Sequence, residues 1–274
     1  METFTWRAIE SIAYKKATGA DLPSGSYAAD AIDQHAKSWC GCCYVVATAQ
    51  MIEDRVRIAH SKKYGKSMVK NELSIQVLMD HFKEDLQGWS ACHGGFPLHV
   101  LECMASHTCP MIWAPKREST WLGFSQILDY CLAADPWDGP EVHSPQRIDV
   151  SKVKHSILHE GPIVLEVNGD TLKSIDARGV VTDLTPRAPN HAVCVVGWKN
   201  EFWIIRNSWG KRRVPTNIPA DLNCVGPNRN ECTVEWQKWS GDPQDPGFVL
   251  LPKSFPPLHN KNSPPWVTCD LRHP

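Results

Sequence analysis

The stretch "SWCGCCYVVATAQMIEDR", residues 38–55, places Cys40, Cys42 and Cys43 directly before an apolar run. The apolar residues that follow Cys43 recur near helical spacing as far as about Ala59, so we predict a helix that begins at Cys43. Thiols crowded at the start of a helix are consistent with a metal site, a disulfide cluster or a catalytic nucleophile, and the rest of the chain has to separate these interpretations.

The composition is that of a folded protein of ordinary size. The chain has 274 residues, a hydrophobic fraction of 42% and a formal net charge of −1. This balance does not favour a disordered chain, a membrane span or a nucleic-acid surface. Eleven cysteines permit disulfides without requiring them. The first residues lack the pattern of a signal peptide.

The order of predicted elements indicates an α+β protein with a cleft between two lobes. We predict a helical lobe over about 22–135 and a β-rich lobe over about 136–252, the second containing a loop insertion at 211–246. The strands are expected at the segments 161–167, 191–198, 201–209 and 247–252, with a hairpin between the second and the third. Helices are also expected from Ser74 and near "PLHVLECMAS", and an amphipathic one over "FTWRAIESIAYKK". The tail 253–274 has many prolines and is expected to lie over the surface.

The charged residues of the first long helix are expected on its solvent-facing side. They are Glu53, Asp54, Arg55 and Arg57.

A nucleophilic role for Cys43 needs a base and a residue that orients the base. A helix N-terminus and an imidazolium both favour a thiolate. His191 opens one predicted strand and Asn207 closes the next, so the hairpin can bring them to one end of the sheet. A His–Asn pair there could hold the imidazole in the useful tautomer, and Trp209 could shield that hydrogen bond from water.

The blocks around these residues resemble those of papain-like cysteine proteases. The run Cys40-Gly41-Cys42-Cys43-Tyr44 resembles a C-G-[SA]-C-[WY] signature, with Cys42 in place of the serine or alanine. The segments 190–193 (NHAV) and 207–210 (NSWG) follow in family order. The resemblance implies the papain-like two-lobe fold, with Cys43 as nucleophile, His191 as base and Asn207 as its orienting residue. The resemblance also implies an imidazolium–thiolate pair and a mechanism that needs no cofactor or metal. "SACHGG", residues 90–95, resembles another family block.

That last block carries two further implications of the resemblance. Cys92 would form a disulfide with Cys40, and the backbone of Gly94 and Gly95 would line the substrate cleft.

A finer resemblance is to the cathepsin X (cathepsin Z) subfamily. Lys37 stands where most of the family has the oxyanion-hole glutamine, whereas Gln34 followed by His35 resembles the extended loop of that subfamily. The resemblance implies that Gln34 stabilises the oxyanion and that His35 binds the C-terminal carboxylate of a substrate. Independently of the resemblance, we expect Lys37 to add a second cation to the same loop. The implied activity is that of a carboxypeptidase acting on peptides or proteins, and the implied location is lysosomal or secretory.

Several features keep other interpretations open. A zinc site could be drawn from Cys40, Cys42, Cys43, Cys92 and His93, but adjacent cysteines and the lack of paired C-x2-C motifs disfavour it. Cys42 stands where the family has a serine or alanine, and His81 after Asp80 stands where the family has a cysteine. Cys224 and Cys232 could form a disulfide or remain free thiols. The alternative to a peptidase is a catalytically silent module of a larger assembly, docked through 211–246 and the tail. Other acyl chemistry at the same three residues is a weaker alternative.

Overall fold

The architecture comes from a computed structural model that describes most of the chain. The described residues are 1–35, 40–66, 72–85, 91–105, 113–114, 126–132, 150–176, 178–210, 213–215, 236–238, 247–255 and 267–272. Helices dominate the first half of this set and strands the second, so the predicted α+β class is confirmed.

The described part of the chain forms five α-helices and eleven β-strands. The helices are α1 (Ser11–Thr18), α2 (Cys43–Tyr64), α3 (Ile75–Asp85), α4 (Pro97–Ala105) and α5 (Val150–His159). The first strands are β1 (Thr3–Thr5), β2 (Glu72–Leu73), β3 (Trp113–Ala114), β4 (Gln126–Leu132) and β5 (Ile163–Val167). The later strands are β6 (His191–Lys199), β7 (Phe202–Arg206), β8 (Arg213–Pro215), β9 (Trp236–Lys238), β10 (Phe248–Pro252) and β11 (Val267–Arg272).

One antiparallel sheet organises the part of the chain that the structure describes. Its strand order is β10-β7-β6-β5-β11-β4, and β1 pairs with β6 outside this path. The predicted hairpin is β6–β7, and its turn contains Asn200 in the left-handed region, with a φ of 52°. The apolar, β-branched sequences of these strands are buried on both faces, and helix α2 packs against β6. The strands predicted at 161–167, 191–198, 201–209 and 247–252 are thus confirmed.

Helix α2 begins at Cys43 as predicted and continues to Tyr64, where Gly65 ends it in the left-handed conformation with a φ of 63°. The prediction that its charged residues face solvent is wrong. Glu53, Asp54, Arg55 and Arg57 are all buried. Burial is tolerated because these side chains pair with one another and with residues of distant elements, as Asp54 does with Arg206 of β7 at 2.7 Å.

The N-terminal segment is only partly helical. Residues 3–5 form β1, and α1 begins later, at Ser11, so the amphipathic helix expected from Phe4 onward is wrong. Phe4 and Trp6 enter the core because β1 pairs with the end of β6. Gly197 permits this pairing, since a Cβ there would lie 2.2 Å from the Phe4 carbonyl oxygen.

The C-terminal tail also differs from expectation, because β11 lies between β5 and β4 in the sheet. The prolines of the tail lie outside this strand, and Val267–Arg272 contains none, so the ladder can form. Strand β4 belongs to the same sheet although the sequence assigned its residues to the helical lobe. Within the predicted insertion 211–246, β8 and β9 pair to form a separate two-stranded sheet.

Candidate active site

Cys43 is the first residue of α2 and lies against the start of β6. Its Sγ accepts a hydrogen bond from the backbone N–H of Ala192, the residue after His191. Burial raises the pKa of the Cys43 thiol to about 11, while the N–H groups of Ala192 and Tyr44 act in the opposite direction. The structure therefore brings the predicted nucleophile and the strand carrying the predicted base together.

His191 and Asn207 meet as the hairpin predicts. The His191 Nε2 lies 2.8 Å from the Asn207 Oδ1, which also accepts the N–H of Ser208 at 2.8 Å. Because a backbone N–H can only donate, the atom that receives it is an oxygen, and Nε2 must therefore carry a hydrogen. In the neutral imidazole, Nδ1 is then the proton acceptor.

Trp209 covers this pair. Its ring stacks on the His191 ring with a centroid separation of 4.8 Å and an interplanar angle of 27°. Burial lowers the pKa of His191 to about 4, and the hydrogen bond to Asn207 opposes that shift. Burial thus favours the neutral forms of both His191 and Cys43, which differs from the imidazolium–thiolate pair expected from the sequence.

Gln34 is held beside Asn207 by a short antiparallel contact. Its backbone N–H donates to the Ser208 carbonyl at 2.9 Å, and the Ser208 hydroxyl donates to the Gln34 Oε1. The amide nitrogen of Gln34 donates to the Cys40 carbonyl at 2.7 Å. These contacts fix the Gln34 amide with its nitrogen on the side of the cysteine cluster.

His35 is a buried side chain with its own hydrogen bond. Its Nδ1 accepts the backbone N–H of Cys40 at 3.1 Å. Burial, together with the smaller effect of the charge on His191, lowers the pKa of His35 to about 4. His35 is therefore neutral near pH 7 and carries its hydrogen on Nε2, so the cationic anchor expected from the sequence is not the form that the structure favours.

The cysteine cluster contains the disulfide that the resemblance implies. Cys40 and Cys92 are bonded, while Cys42 and Cys43 are free thiols. Gly94 and Gly95 follow the disulfide and are exposed. A Cβ on Gly95 would lie 2.6 Å from the ring of Tyr44, so only glycine fits where this loop crosses the start of α2.

Three contributors were missed by the sequence reasoning. Ser208 orients the Gln34 side chain by a hydrogen bond. Gly169 packs closely against the site, since a Cβ at this position would lie within 3.5 Å of both His191 and Trp209. The negative charge of Glu166 raises the pKa of Cys43. The signal for Ser208 was its place directly after Asn207. Nothing local marks Glu166, because its place beside Ala192 arises from the pairing of β5 with β6. Gly169 lies just after β5, where its N–H donates to the Asn190 Oδ1 at 2.8 Å.

Some predictions fall outside the described residues. Lys37, Cys224 and Cys232 are among them. Within the described ranges, no three His, Cys, Asp or Glu side chains are grouped so that they could hold a metal ion. No helix in those ranges is both long and apolar enough to cross a bilayer.

Comparisons with known proteins identify the family and the fold. A model described as papain family cysteine protease matches residues 25–214, more than half of the chain. The viral cathepsin of Heliothis zea nuclear polyhedrosis virus is 27% identical over 182 residues, which cover 63% of this chain and 44% of that protein. Cathepsin Z of Onchocerca volvulus is 23% identical over 201 residues, which cover 68% of this chain and 62% of that protein. The chain thus spans less than two thirds of either relative.

Solved structures show the same fold at low identity. The Carica candamarcensis cysteine protease CMS1MS2 superimposes with a TM-score of 0.54 at 16% identity, covering 98% of each chain. The ragweed pollen allergen Amb a 11, a cysteine protease, gives a TM-score of 0.55 at 18% identity, covering 100% of this chain and 67% of its own. The predicted papain-like α+β fold is confirmed by these neighbours. With the family model matched over more than half of its length, the chain belongs to the papain family of cysteine proteases.

Proposed function

We propose that this chain is a cysteine peptidase that cleaves peptide bonds with Cys43 as the nucleophile. The observation that carries the proposal is the joint placement of Cys43 and a His191–Asn207 pair. The Sγ of Cys43 contacts the backbone of the residue next to His191, and Asn207 fixes the tautomer of that imidazole. A thiol, a base and a group that orients the base form the minimal set for acyl transfer by a cysteine.

The reaction begins with a proton transfer between neutral groups. The Sγ–H proton of Cys43 passes to Nδ1 of His191 as the sulfur attacks the substrate carbonyl. Two opposite charges arise together, so each offsets part of the burial cost of the other. His191 then gives its proton to the leaving amine, and water attacks the acyl-enzyme with His191 again accepting the proton.

The oxyanion would be held by two N–H donors. The backbone N–H of Cys43 belongs to the first turn of α2, whose amides have no partner within the helix. The second donor is the amide nitrogen of the Gln34 side chain. The Ser208 hydroxyl donates to the oxygen of the same amide group and so fixes the direction of the nitrogen. Removal of such a donor costs about 10²–10³ in kcat, so Gln34→Ala is expected to lose activity in this range.

Peptide hydrolysis tests the proposal. Wild type, Cys43→Ala and His191→Ala are incubated with an unbiased peptide mixture, and the products are identified by mass spectrometry. We expect cleavage by wild type only. A matched control is Cys194→Ala, which removes another buried free thiol from β6. Cleavage that survives Cys43→Ala would overturn the proposal.

The proposed specificity is that of a carboxypeptidase. Its support is the placement of His35, whose Nδ1 accepts the Cys40 N–H and whose pKa a positive charge on His191 lowers. As a neutral imidazole, His35 would bind the terminal carboxylate by donating a hydrogen bond from Nε2, rather than as a cation. Hydrogen bonds to a carboxylate are stronger than those between neutral groups, so such a donor still favours a free C-terminus.

A pair of substrates tests this specificity. One peptide ends in a free carboxylate and the other, of the same sequence, in an amide. We expect wild type to prefer the free acid, His35→Ala to lose that preference, and His35→Gln to retain part of it. Equal cleavage of both peptides by wild type would refute the role of His35 while leaving the peptidase proposal intact.

A further inference from the structure

Glu166 is placed beside the candidate nucleophile by strand pairing. It lies directly opposite Ala192 in the β5–β6 ladder, and Ala192 is the residue whose N–H binds the Sγ of Cys43. Residues directly opposite each other in an antiparallel pair have side chains on the same face, about 5 Å apart. The Glu166 carboxyl group therefore shares a face of the sheet with the small side chain of Ala192.

This carboxyl group has no protein partner within the described residues. No hydrogen bond, ion pair or cation is found for it there, whereas other buried acids of the core are paired: Glu53 lies 2.5 Å from Arg57 and Asp54 lies 2.7 Å from Arg206. Glu166 is half-buried between the buried residues Leu165 and Val167 of β5. Burial raises its pKa to about 7. A carboxylate that is partly desolvated and unpaired gains more from a cation than one in water.

We propose that Glu166 selects substrates with an arginine or lysine side chain close to the scissile bond. The proposal rests on the peptidase function proposed above, because it assigns a specificity residue to that site. A peptide whose carbonyl lies at Cys43 passes Ala192, and a long basic side chain on its acyl side can reach the carboxyl group opposite. Arginine is favoured over lysine, since its guanidinium matches a carboxylate with two parallel hydrogen bonds.

The rival explanation is that Glu166 only tunes Cys43. Its negative charge raises the pKa of that thiol, and a tuning role would change the rate for every substrate alike. A specificity role instead changes the ratio of rates between two substrates that differ only in charge. The ratio is therefore the decisive readout.

The experiment compares arginine with citrulline, which has nearly the same shape and no charge. Each is placed in turn at the two positions before the scissile bond, and kcat/KM is measured for wild type and Glu166→Gln. We expect wild type to prefer arginine at one position by about ten- to a hundredfold, the range of a hydrogen bond to a charged group. The ratio should fall to about one in Glu166→Gln. The control Glu201→Gln removes an exposed acid at the opposite end of β6 and should keep the wild-type ratio.

Charge reversal provides a second test. In Glu166→Lys the preference should invert, so that a peptide with glutamate at the same position is cleaved faster than one with glutamine. An unchanged arginine-to-citrulline ratio in Glu166→Gln, or a wild-type ratio near one at both positions, would overturn the inference.

A binding measurement separates this inference from the proposed function. Calorimetry with Cys43→Ala compares the affinities of the arginine and citrulline peptides without any catalysis. Tighter binding of the arginine peptide, lost on adding Glu166→Gln, would uphold the inference even if wild type cleaves nothing. Equal binding of both peptides by Cys43→Ala, together with no cleavage by wild type, would overturn both.

Discussion

The ion pair between Arg206 and Asp54 joins the elements that carry the candidate active site. Both side chains have no exposed surface, and the Arg206 Nη1 donates to the Asp54 Oδ2 at 2.7 Å. Arg206 directly precedes Asn207, while Asp54 lies on α2, the helix that begins at Cys43. The same two groups bind Ala29, since Arg206 donates to its carbonyl at 3.1 Å and Asp54 accepts its N–H at 2.8 Å.

The substitution Arg206→Met removes the cation and keeps most of the side-chain volume. Breaking a buried pair typically costs about 3–5 kcal/mol, because one charge is left uncompensated. Here Asp54 keeps two partners, the N–H of Ala29 and the Arg57 guanidinium at 3.1 Å. We therefore expect a loss near the lower limit of that range, about 3 kcal/mol. At roughly 2–4 °C per kcal/mol for a chain of this size, Tm should fall by about 6–12 °C.

Urea unfolding and thermal melts of wild type and variant measure this loss. The matched control is Arg178→Met, which breaks an exposed pair with Asp176 and should leave Tm within about 1 °C. A loss below about 1 kcal/mol in Arg206→Met would refute the reasoning.

Three further predictions concern the site and its surroundings. Asn207→Ala should lower kcat/KM by about 10- to 150-fold, because His191 loses its hydrogen bond to Asn207. Since that hydrogen bond raises the pKa of His191, the acid limb of the pH–rate profile should move to lower pH in the variant. An acid limb at the same pH in both proteins would contradict the role assigned to Asn207. Gly95→Ala should destabilise the protein by about 1–3 kcal/mol, since the new methyl group meets the Tyr44 ring, and an unchanged urea midpoint would argue against this contact. Burial raises the pKa of Glu166 from 4.5 to about 7, so the stability gained from its protonated form is complete below pH 4.5 and is lost as pH rises through 7. The urea midpoint of Glu166→Gln should therefore rise relative to that of wild type between about pH 4 and pH 8. Urea midpoints of the two proteins that change in parallel with pH would contradict this prediction.

The parts of the fold that sequence could predict are those specified locally. The apolar spacing after Cys43 marks α2, and the β-branched runs joined at Asn200 mark the β6–β7 hairpin. The meeting of His191 and Asn207 follows from that hairpin, because the two residues lie at the ends of paired strands.

The parts that sequence missed depend on distant partners. The sequence predicts a solvent-exposed side chain for Asp54, because it does not show that Arg206 lies against it. Nor does it distinguish Glu166 from other strand residues, because its position beside Ala192 depends on the pairing of β5 with β6. The tail strand β11 was missed for a different reason. The prolines before it dominated the composition of the tail, whereas strand formation depends on the six residues that follow them.

Chemical labelling of Cys43 tests its role as the nucleophile most directly. A thiol-directed epoxide inhibitor is added to the native protein, and the labelled residue is found by peptide mapping. We predict one equivalent of label on Cys43, none on the free buried thiols Cys42 and Cys194, and much slower labelling of Cys43 in His191→Ala. A folded protein that takes no label, or that labels Cys42 as readily as Cys43, would contradict the assignment and favour a catalytically silent member of the family.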